Sequence, residues 1–357
     1  MMINIIIILI IIFAIYNYIL FKLKLNEKDE EDKNELKLSI VIAAKNEEKN
    51  LQPLIVALSK LNYSTDNYEV IIVDDNSEDT TLLLAKQLTQ SHSNYTVVTT
   101  SVKKYGGKRG ALQIGIEKAK HPYIVITDAD CEPITNWLKS FSNKFSDGYD
   151  FLFGIAPFRQ SYSITNKMST FENLRSHILT LSFADIGLPY SAAARSFGFR
   201  KKSFSMIKGY KNTTDTLSGD DDLLLREAKR HNMKIGTITN DDAFVYSTTP
   251  KYFKDYIRQK ARHTSTSNYY LLRNQIMLGV WHLINLVFLF SPILIIYDPF
   301  FIVPFLVKIF ADCLIIKRFM KKFTYNFSLY EIFYLQIFYE IMIIVNYVNG
   351  FFSKDKW

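Results

Sequence analysis

The sequence predicts an α/β fold with a mostly parallel central sheet and apolar helices toward both ends of the chain. Three observations predict it. Between Leu36 and about Ser247, short β-branched runs alternate with helical patterns, the signature of right-handed crossover units. Two of these runs end directly in aspartates. Outside that region, Met1–Phe21 and three stretches after Pro250 are almost continuously apolar.

Composition narrows the field. The chain has 357 residues, 48% of them hydrophobic and 15% aromatic, which excludes a disordered protein. Two cysteines, Cys131 and Cys313, exclude a disulfide framework and a four-cysteine zinc site. The net charge of +8 suits nucleic acid, a membrane surface or phosphorylated ligands equally, so charge alone does not choose.

Taken in order, residues 1–24 read as an N-terminal transmembrane anchor. The apolar run is near the roughly 20 residues that span a bilayer. No basic residue precedes it and no small-residue cleavage site follows, so it reads as uncleaved. Lys22 and Lys24 behind it place that side in the cytoplasm. Residues 25–35 form a charged linker, and 36–250 a globular domain.

In that domain Leu38–Ala43 suits a buried strand, Asn46–Lys60 has helical spacing, and Glu69–Val73 is a second strand ending in acids. Asp79–Gln90 reads as a helix, Tyr95–Thr100 as a strand, Gly110–Ala119 as a helix, and Tyr123–Thr127 as a strand ending in acids. Ligands of such sheets bind beyond the carboxyl ends of the strands, where these acids fall.

Residues 251–273 mix Tyr and Phe with Lys and Arg, as an amphipathic interfacial segment does. Residues 274–350 hold two to three membrane helices. The basic loop Lys317, Arg318, Lys321 and Lys322 between the second and third then lies inside. Lys308 and Asp312 sit four apart within the middle stretch, and either pair or snorkel.

Three acidic clusters carry the chemistry: Asp74-Asp75, Asp128-Ala-Asp130 and Gly219-Asp-Asp-Asp222. One such cluster is ordinary helix capping. Three in order, two at strand ends and one opening a helix, are not. Two carboxylates two residues apart suit Mg²⁺ or Mn²⁺, hard cations that bridge diphosphates. An acid of the third cluster suits a base for an attacking hydroxyl, and crowding of Asp220, Asp221 and Asp222 pushes at least one proton affinity up. Cys131 reads as a small packing residue.

These segments resemble the inverting family 2 glycosyltransferases of the GT-A fold. The resemblance runs through Ser39–Glu47, Val70–Thr80, Gly107–Leu112, Ile124–Glu132 with Trp137-Leu138, Ala194–Phe204 with Gly209-Tyr210, which resembles the family's acceptor-side strand and loop, and Ser218–Arg226. It implies a nucleotide pocket at Ala43, Asn46 and Glu47, with Asp75 on the nucleobase and Lys108 near the nucleotide or sugar. It implies that Asp128 and Asp130 hold the metal and diphosphate, Asp130 more directly, and that Asp221 is the base. Asp220 fills a position the family often gives to Glu, so the register of the triple Asp is open by one residue.

Gln259-Lys-Ala-Arg-His263 resembles the family's Gln-x-x-Arg-Trp. Gln259 and Arg262 then face acceptor and diphosphate, or else form part of a solvated or headgroup face. His263 in place of Trp alters an aromatic sugar platform and argues against processive synthesis.

The reading is a membrane-bound enzyme of hexosyltransferase type. It moves a sugar with inversion from a nucleotide sugar, UDP expected, to a lipid-linked or polysaccharide acceptor in cell-envelope synthesis. The expected location is the inner or cell membrane, multi-pass, with the catalytic domain cytoplasmic and no nucleic-acid partner. The competitors are a processive polysaccharide synthase and a catalytically silent nucleotide-sugar-binding scaffold. A prenyl-transfer enzyme would need an all-helical body, and a transporter far more membrane.

Overall fold

The computed structural model describes residues 2–25 and 33–352, so most of the acidic linker lies outside the described residues. The chain divides into two compact units. One gathers the residues up to Lys24, Gln160–Leu188 and those from Thr249 on; the other gathers Leu25–Arg159 and Pro189–Thr248. Hydropathy gives no sign that 160–188, inside the stretch read as one globular domain, groups with the apolar helices.

The elements run in order as α1 (Met2–Lys22), β1 (Leu38–Ala44), α2 (Leu51–Ser59), β2 (Tyr68–Asp74), α3 (Thr81–Thr89), β3 (Tyr95–Thr99), α4 (Lys108–Lys118), β4 (Tyr123–Ile126), β5 (Cys131–Pro133), α5 (Trp137–Ser146) and β6 (Phe151–Gly154). They continue as α6 (Ile164–Asp185), β7 (Phe197–Arg200), α7 (Lys201–Met206), α8 (Asp220–Arg230), β8 (Ile235–Ile238), β9 (Val245–Ser247), α9 (Phe253–Ser265), α10 (Leu272–Phe290), α11 (Ile302–Phe319) and α12 (Leu329–Phe352).

The main sheet has the order β3-β2-β1-β4-β7-β6-β8. All its pairings are parallel except those of β7, which runs antiparallel to β4 and β6. The four strands read from sequence are β1 to β4; β6, β7 and β8 are too short to stand out by pattern. Nearly every residue of β1 and β2 is buried, as expected where helices cover both faces. Ile40, Ile42, Val70 and Ile72 join Leu51, Leu54 and Leu58 of α2 and Trp137, Phe141 and Phe145 of α5 in one core. On the other face α4 comes so close that a Cβ on Gly115 would lie 2.5 Å from Val41.

Register places the acids. Ala44 pairs with Asp74, and Val41 pairs with both Ile71 and Ile126. The ends of β2 and β4 therefore flank the end of β1, and strand order reverses there. This is the switch-point crevice of an open α/β sheet. A two-stranded antiparallel sheet, β5 with β9, follows at once and sets Cys131 opposite Ser247.

In the other unit, four helical stretches among the described residues are long and apolar enough to cross a membrane: Asn4–Lys22, Leu272–Ile296, Pro299–Phe319 and Leu329–Gly350. Lys308 and Asp312 do not snorkel. Lys308 is fully buried and donates to Asn285 (2.6 Å), Asp312 (2.8 Å) and Glu340 (3.0 Å). Arg175 of α6 pairs with Asp312 at 2.8 Å and Glu340 at 3.5 Å. Two cations and two anions thus close on one another inside the unit.

Candidate functional site

The site is built where β1, β2 and β4 end. The loops after β1 and β2 zip together: Asn46 N–H donates to Ser77 Oγ (3.0 Å), Glu78 N–H to Asn46 Oδ1 (2.8 Å) and Glu47 N–H to Thr81 Oγ1 (2.7 Å). Asn46 holds a left-handed conformation (φ +58°), which Asn tolerates better than most residues. Its side chain is thus engaged in shaping the loop. Ala43 lies half-buried near the end of β1.

Asp75 continues the register, its N–H donating to Ala44 O at 2.7 Å. Its buried carboxylate accepts from Thr100 Oγ1 (3.2 Å) and Lys103 Nζ (2.9 Å). Lys103 is a partner that sequence reasoning missed; it lies 28 residues downstream in a loop with no motif.

Lys108 ties two acidic clusters together. It opens α4 behind Gly107, whose φ of +65° suits glycine, and its ammonium pairs with Asp128 and lies 3.9 Å from Asp220. Gly219, likewise at positive φ (+68°), starts α8 and puts Asp220, Asp221 and Asp222 in its first turn. These acids part company there. Asp222 is buried and accepts from Ala192 N–H at 3.0 Å, which makes it structural. Asp220 faces Lys108, and Asp221 stands between them in sequence, half-buried.

Arg109 was also not foreseen. It is 2% exposed and donates to the carbonyls of Thr216 and Ser218 (2.5 Å for Ser218), so it pins the loop that leads into α8. Arg195, a lone cation after three alanines, bonds Ser247 Oγ and Ala156 O and acts electrostatically on Asp130. Its place beside Asp130 follows from the β5–β9 pairing, which no local pattern encodes.

Charge crowding shifts several groups. Burial, then the charges of Asp222 and Asp220, push Asp221 well above the usual carboxylate range. Asp130 is exposed at its rim, yet surrounding protein and the Asp128 charge raise it too. Glu47 is raised by burial and also feels Asp130 and Asp128, which brings the β1 loop to the same cluster. Burial alone would lower Lys108, but Asp128 and Asp220 outweigh it and the ammonium is held charged.

The donor set fits a hard divalent cation. Ligand atoms of Asp128, Asp130 and Cys131 lie within 4.8 Å of one another. The two carboxylates are hard oxygen donors. Burial and the neighbouring aspartates raise the Cys131 thiol well above its ordinary value, so it stays protonated beside them rather than acting as a soft thiolate.

Gln259 and Arg262 lie on α9, three residues apart, in the unit of apolar helices. Gln259 Oε1 is buried without a hydrogen-bond partner, and neighbouring Lys260 pairs with Glu172 of α6 at 3.2 Å.

Acids at the switch point of an open α/β sheet, beside a helix started by glycine, lie where such sheets bind their ligands. Comparison with known proteins sharpens this. The family model described as glycosyl transferase family 2 matches residues 39–206, and that described as glycosyl transferase family group 2 matches 123–347, more than half of the chain. The chain belongs to the family 2 glycosyltransferases.

It is 36% identical over 101 residues to a beta-monoglucosyldiacylglycerol synthase of Trichormus variabilis (28% of this chain, 22% of that protein). It is 29% identical over 102 residues to the glycosyltransferase AglE of Haloferax volcanii (29% and 33%). The chain thus matches a third or less of these relatives' length. A solved mannosyltransferase from Pyrobaculum calidifontis, in complex with GDP-Man and Mn²⁺, shares the GT-A fold: TM-score 0.64 at 13% identity, covering 97% of this chain and 95% of that one.

Proposed function

We propose that this glycosyltransferase is membrane-bound and transfers a sugar with inversion from a nucleotide sugar, with UDP the expected nucleotide, to a lipid-linked or glycan acceptor. The observation that carries the reading is Lys108 bridging Asp128 and Asp220, which draws the second and third acidic clusters into one surplus of negative charge. Asp75 receives the nucleobase, and Ala43, Asn46 and Glu47 line the nucleotide pocket. Asp128 and Asp130 hold Mg²⁺ or Mn²⁺, which supplies charge neutralisation for a departing diphosphate when bound.

Asp221, with its raised proton affinity, takes the proton of the acceptor hydroxyl as that oxygen attacks the anomeric carbon. One displacement with one base inverts the configuration. Asp220 keeps Lys108 oriented toward the leaving group. Gln259 and Arg262 contact acceptor or diphosphate.

The relatives named for lipid substrates and the four long apolar helices among the described residues support a lipid-linked acceptor and a multi-pass cell-membrane location, and Lys22, Lys24 and the basic loop Lys317–Lys322 favour a cytoplasmic catalytic domain. The layout follows as an anchor over 1–24, a linker over 25–35, the GT-A domain over 36–250, an interfacial segment over 251–273 and membrane helices over 274–350.

The test is release of nucleoside diphosphate by detergent-purified protein from UDP-, GDP- and dTDP-sugars with Mn²⁺ or Mg²⁺. Metal-dependent release from one donor, lost in Asp130→Ala and Asp221→Asn, supports the reading. Failure of every nucleotide to bind with metal refutes it and leaves a silent scaffold.

A further inference from the structure

Two of the buried polar atoms left without a hydrogen-bond partner belong to residues that act on each other electrostatically: the Tyr210 hydroxyl and Arg109 Nε. Tyr210 is 1% exposed. Its ring meets Phe204 edge-on at 5.3 Å and Tyr105 at 6.3 Å, and Phe204 in turn stacks on Phe199 of β7 at 4.7 Å. The turn before it is tight, since a Cβ on Gly209 would come 2.8 Å from the Phe204 ring. The phenol therefore has one orientation. The charges of Asp220, Lys108, Arg109 and Asp221 all act on its oxygen. Arg109 spends both terminal nitrogens on the loop carbonyls of Thr216 and Ser218, which leaves Nε as a second unused donor.

A buried hydroxyl with no partner is costly, and folded proteins keep few of them. Here the orphan is held by its ring packing and feels the charges of both Lys108 and Asp221. A sugar in transit occupies the space between a leaving phosphate and an attacking oxygen, and it presents hydroxyls that both donate and accept.

We propose that the Tyr210 hydroxyl is a binding and specificity contact for a hydroxyl of the transferred sugar. This rests on the glycosyl-transfer reading above. Tyr210 discriminates among donors by hydroxyl configuration and leaves the nucleotide untouched. Arg109 Nε is the neighbouring donor that completes the polar wall.

The test is Tyr210→Phe in the full-length, detergent-purified protein, which removes one oxygen and keeps the aromatic packing. Melting is recorded without ligand, with Mn²⁺ plus UDP or GDP, and with Mn²⁺ plus UDP-glucose, UDP-N-acetylglucosamine or GDP-mannose; diphosphate release is followed in parallel. The expected result is an unliganded Tm equal to or above wild type, an unchanged shift with UDP or GDP, and loss of the extra shift that the sugar confers. With it kcat/KM falls by about ten- to a hundredfold.

A lower unliganded Tm with the sugar-dependent shift intact overturns the proposal, because the hydroxyl then serves the fold. Equal sugar-dependent shifts in both proteins overturn it while leaving the glycosyl-transfer reading in place. No shift of either protein with any nucleotide refutes both.

Discussion

A charged cluster in one unit and a charged cluster in the other are built on opposite principles. In the apolar-helix unit, Arg175, Lys308, Asp312 and Glu340 are all buried and match two cations to two anions, with Asn285 taking one of the three Lys308 donors. In the sheet unit, Glu47, Asp128, Asp130, Asp220 and Asp221 outnumber the cations that act on them, Lys108, Arg109 and Arg195, and Asp130 is open to solvent.

A buried set with balanced charge pairs internally and cannot bind a further ion without breaking those pairs. An open set with surplus charge of one sign is unfinished, and finishing it takes a cation or a ligand with donors. A buried charge cluster can mark a functional site. Here its internal pairing assigns it to holding α6, α10, α11 and α12 in one arrangement.

The largest effect tests the unfinished cluster. Asp221→Asn should lower kcat by about 10²–10⁴-fold, the usual worth of a positioned general base. Asp220→Asn should cost less; if it costs more, the register of the triple Asp shifts by one and Asp220 is the base. A chelator should abolish release from the wild type, reversibly on adding Mn²⁺.

Next in size is the sealed cluster. Lys308→Met should destabilise the protein by about 3–5 kcal/mol, because it strands buried carboxylates. Lys308→Met with Glu340→Gln should cost less than the two single changes added together, read from denaturant or thermal melts in detergent. Strict additivity would mean that the two clusters do not differ as described.

A smaller effect concerns pH. The folded state raises Asp221 above its ordinary value, so protonation favours folding. Its contribution is fully present in acid and is lost as pH rises through the raised value. Asp221→Asn should therefore melt higher than wild type at neutral pH and equal to it in acid. For the same reason the acid limb of the wild-type rate should lie above that of an ordinary carboxylate. A limb at the usual carboxylate position would take the base role from Asp221.

The smallest change expected is at a rim pair that is neither sealed nor crowded. Arg159 and Glu132 pair at 2.7 Å with Arg159 exposed and Glu132 partly so, and Arg159→Ala should shift stability by no more than about 1 kcal/mol. A larger loss, measured by the same melts, would mean that the cation–π contact of Arg159 with Tyr246 at 5.1 Å carries the difference.

Much was legible in the sequence because it is local. Strands β1 to β4 announced themselves as β-branched runs, and Asp74-Asp75, Asp128-Ala-Asp130 and the triple Asp stood at element ends, where period and chain direction already fix position. The apolar helices followed from length and hydropathy alone. Only the tertiary structure gave β7 its antiparallel place between β4 and β6, since pairing partners far apart in sequence leave no periodic trace.

The fold alone also divided three adjacent aspartates into a structural Asp222 bound to Ala192 and an Asp220 facing Lys108. It brought Lys103 to Asp75 and buried the Tyr210 hydroxyl beside the acids. A sequence specifies which groups are polar and how they repeat. Whether a polar group finds a partner depends on distances between segments that meet only when the chain is packed.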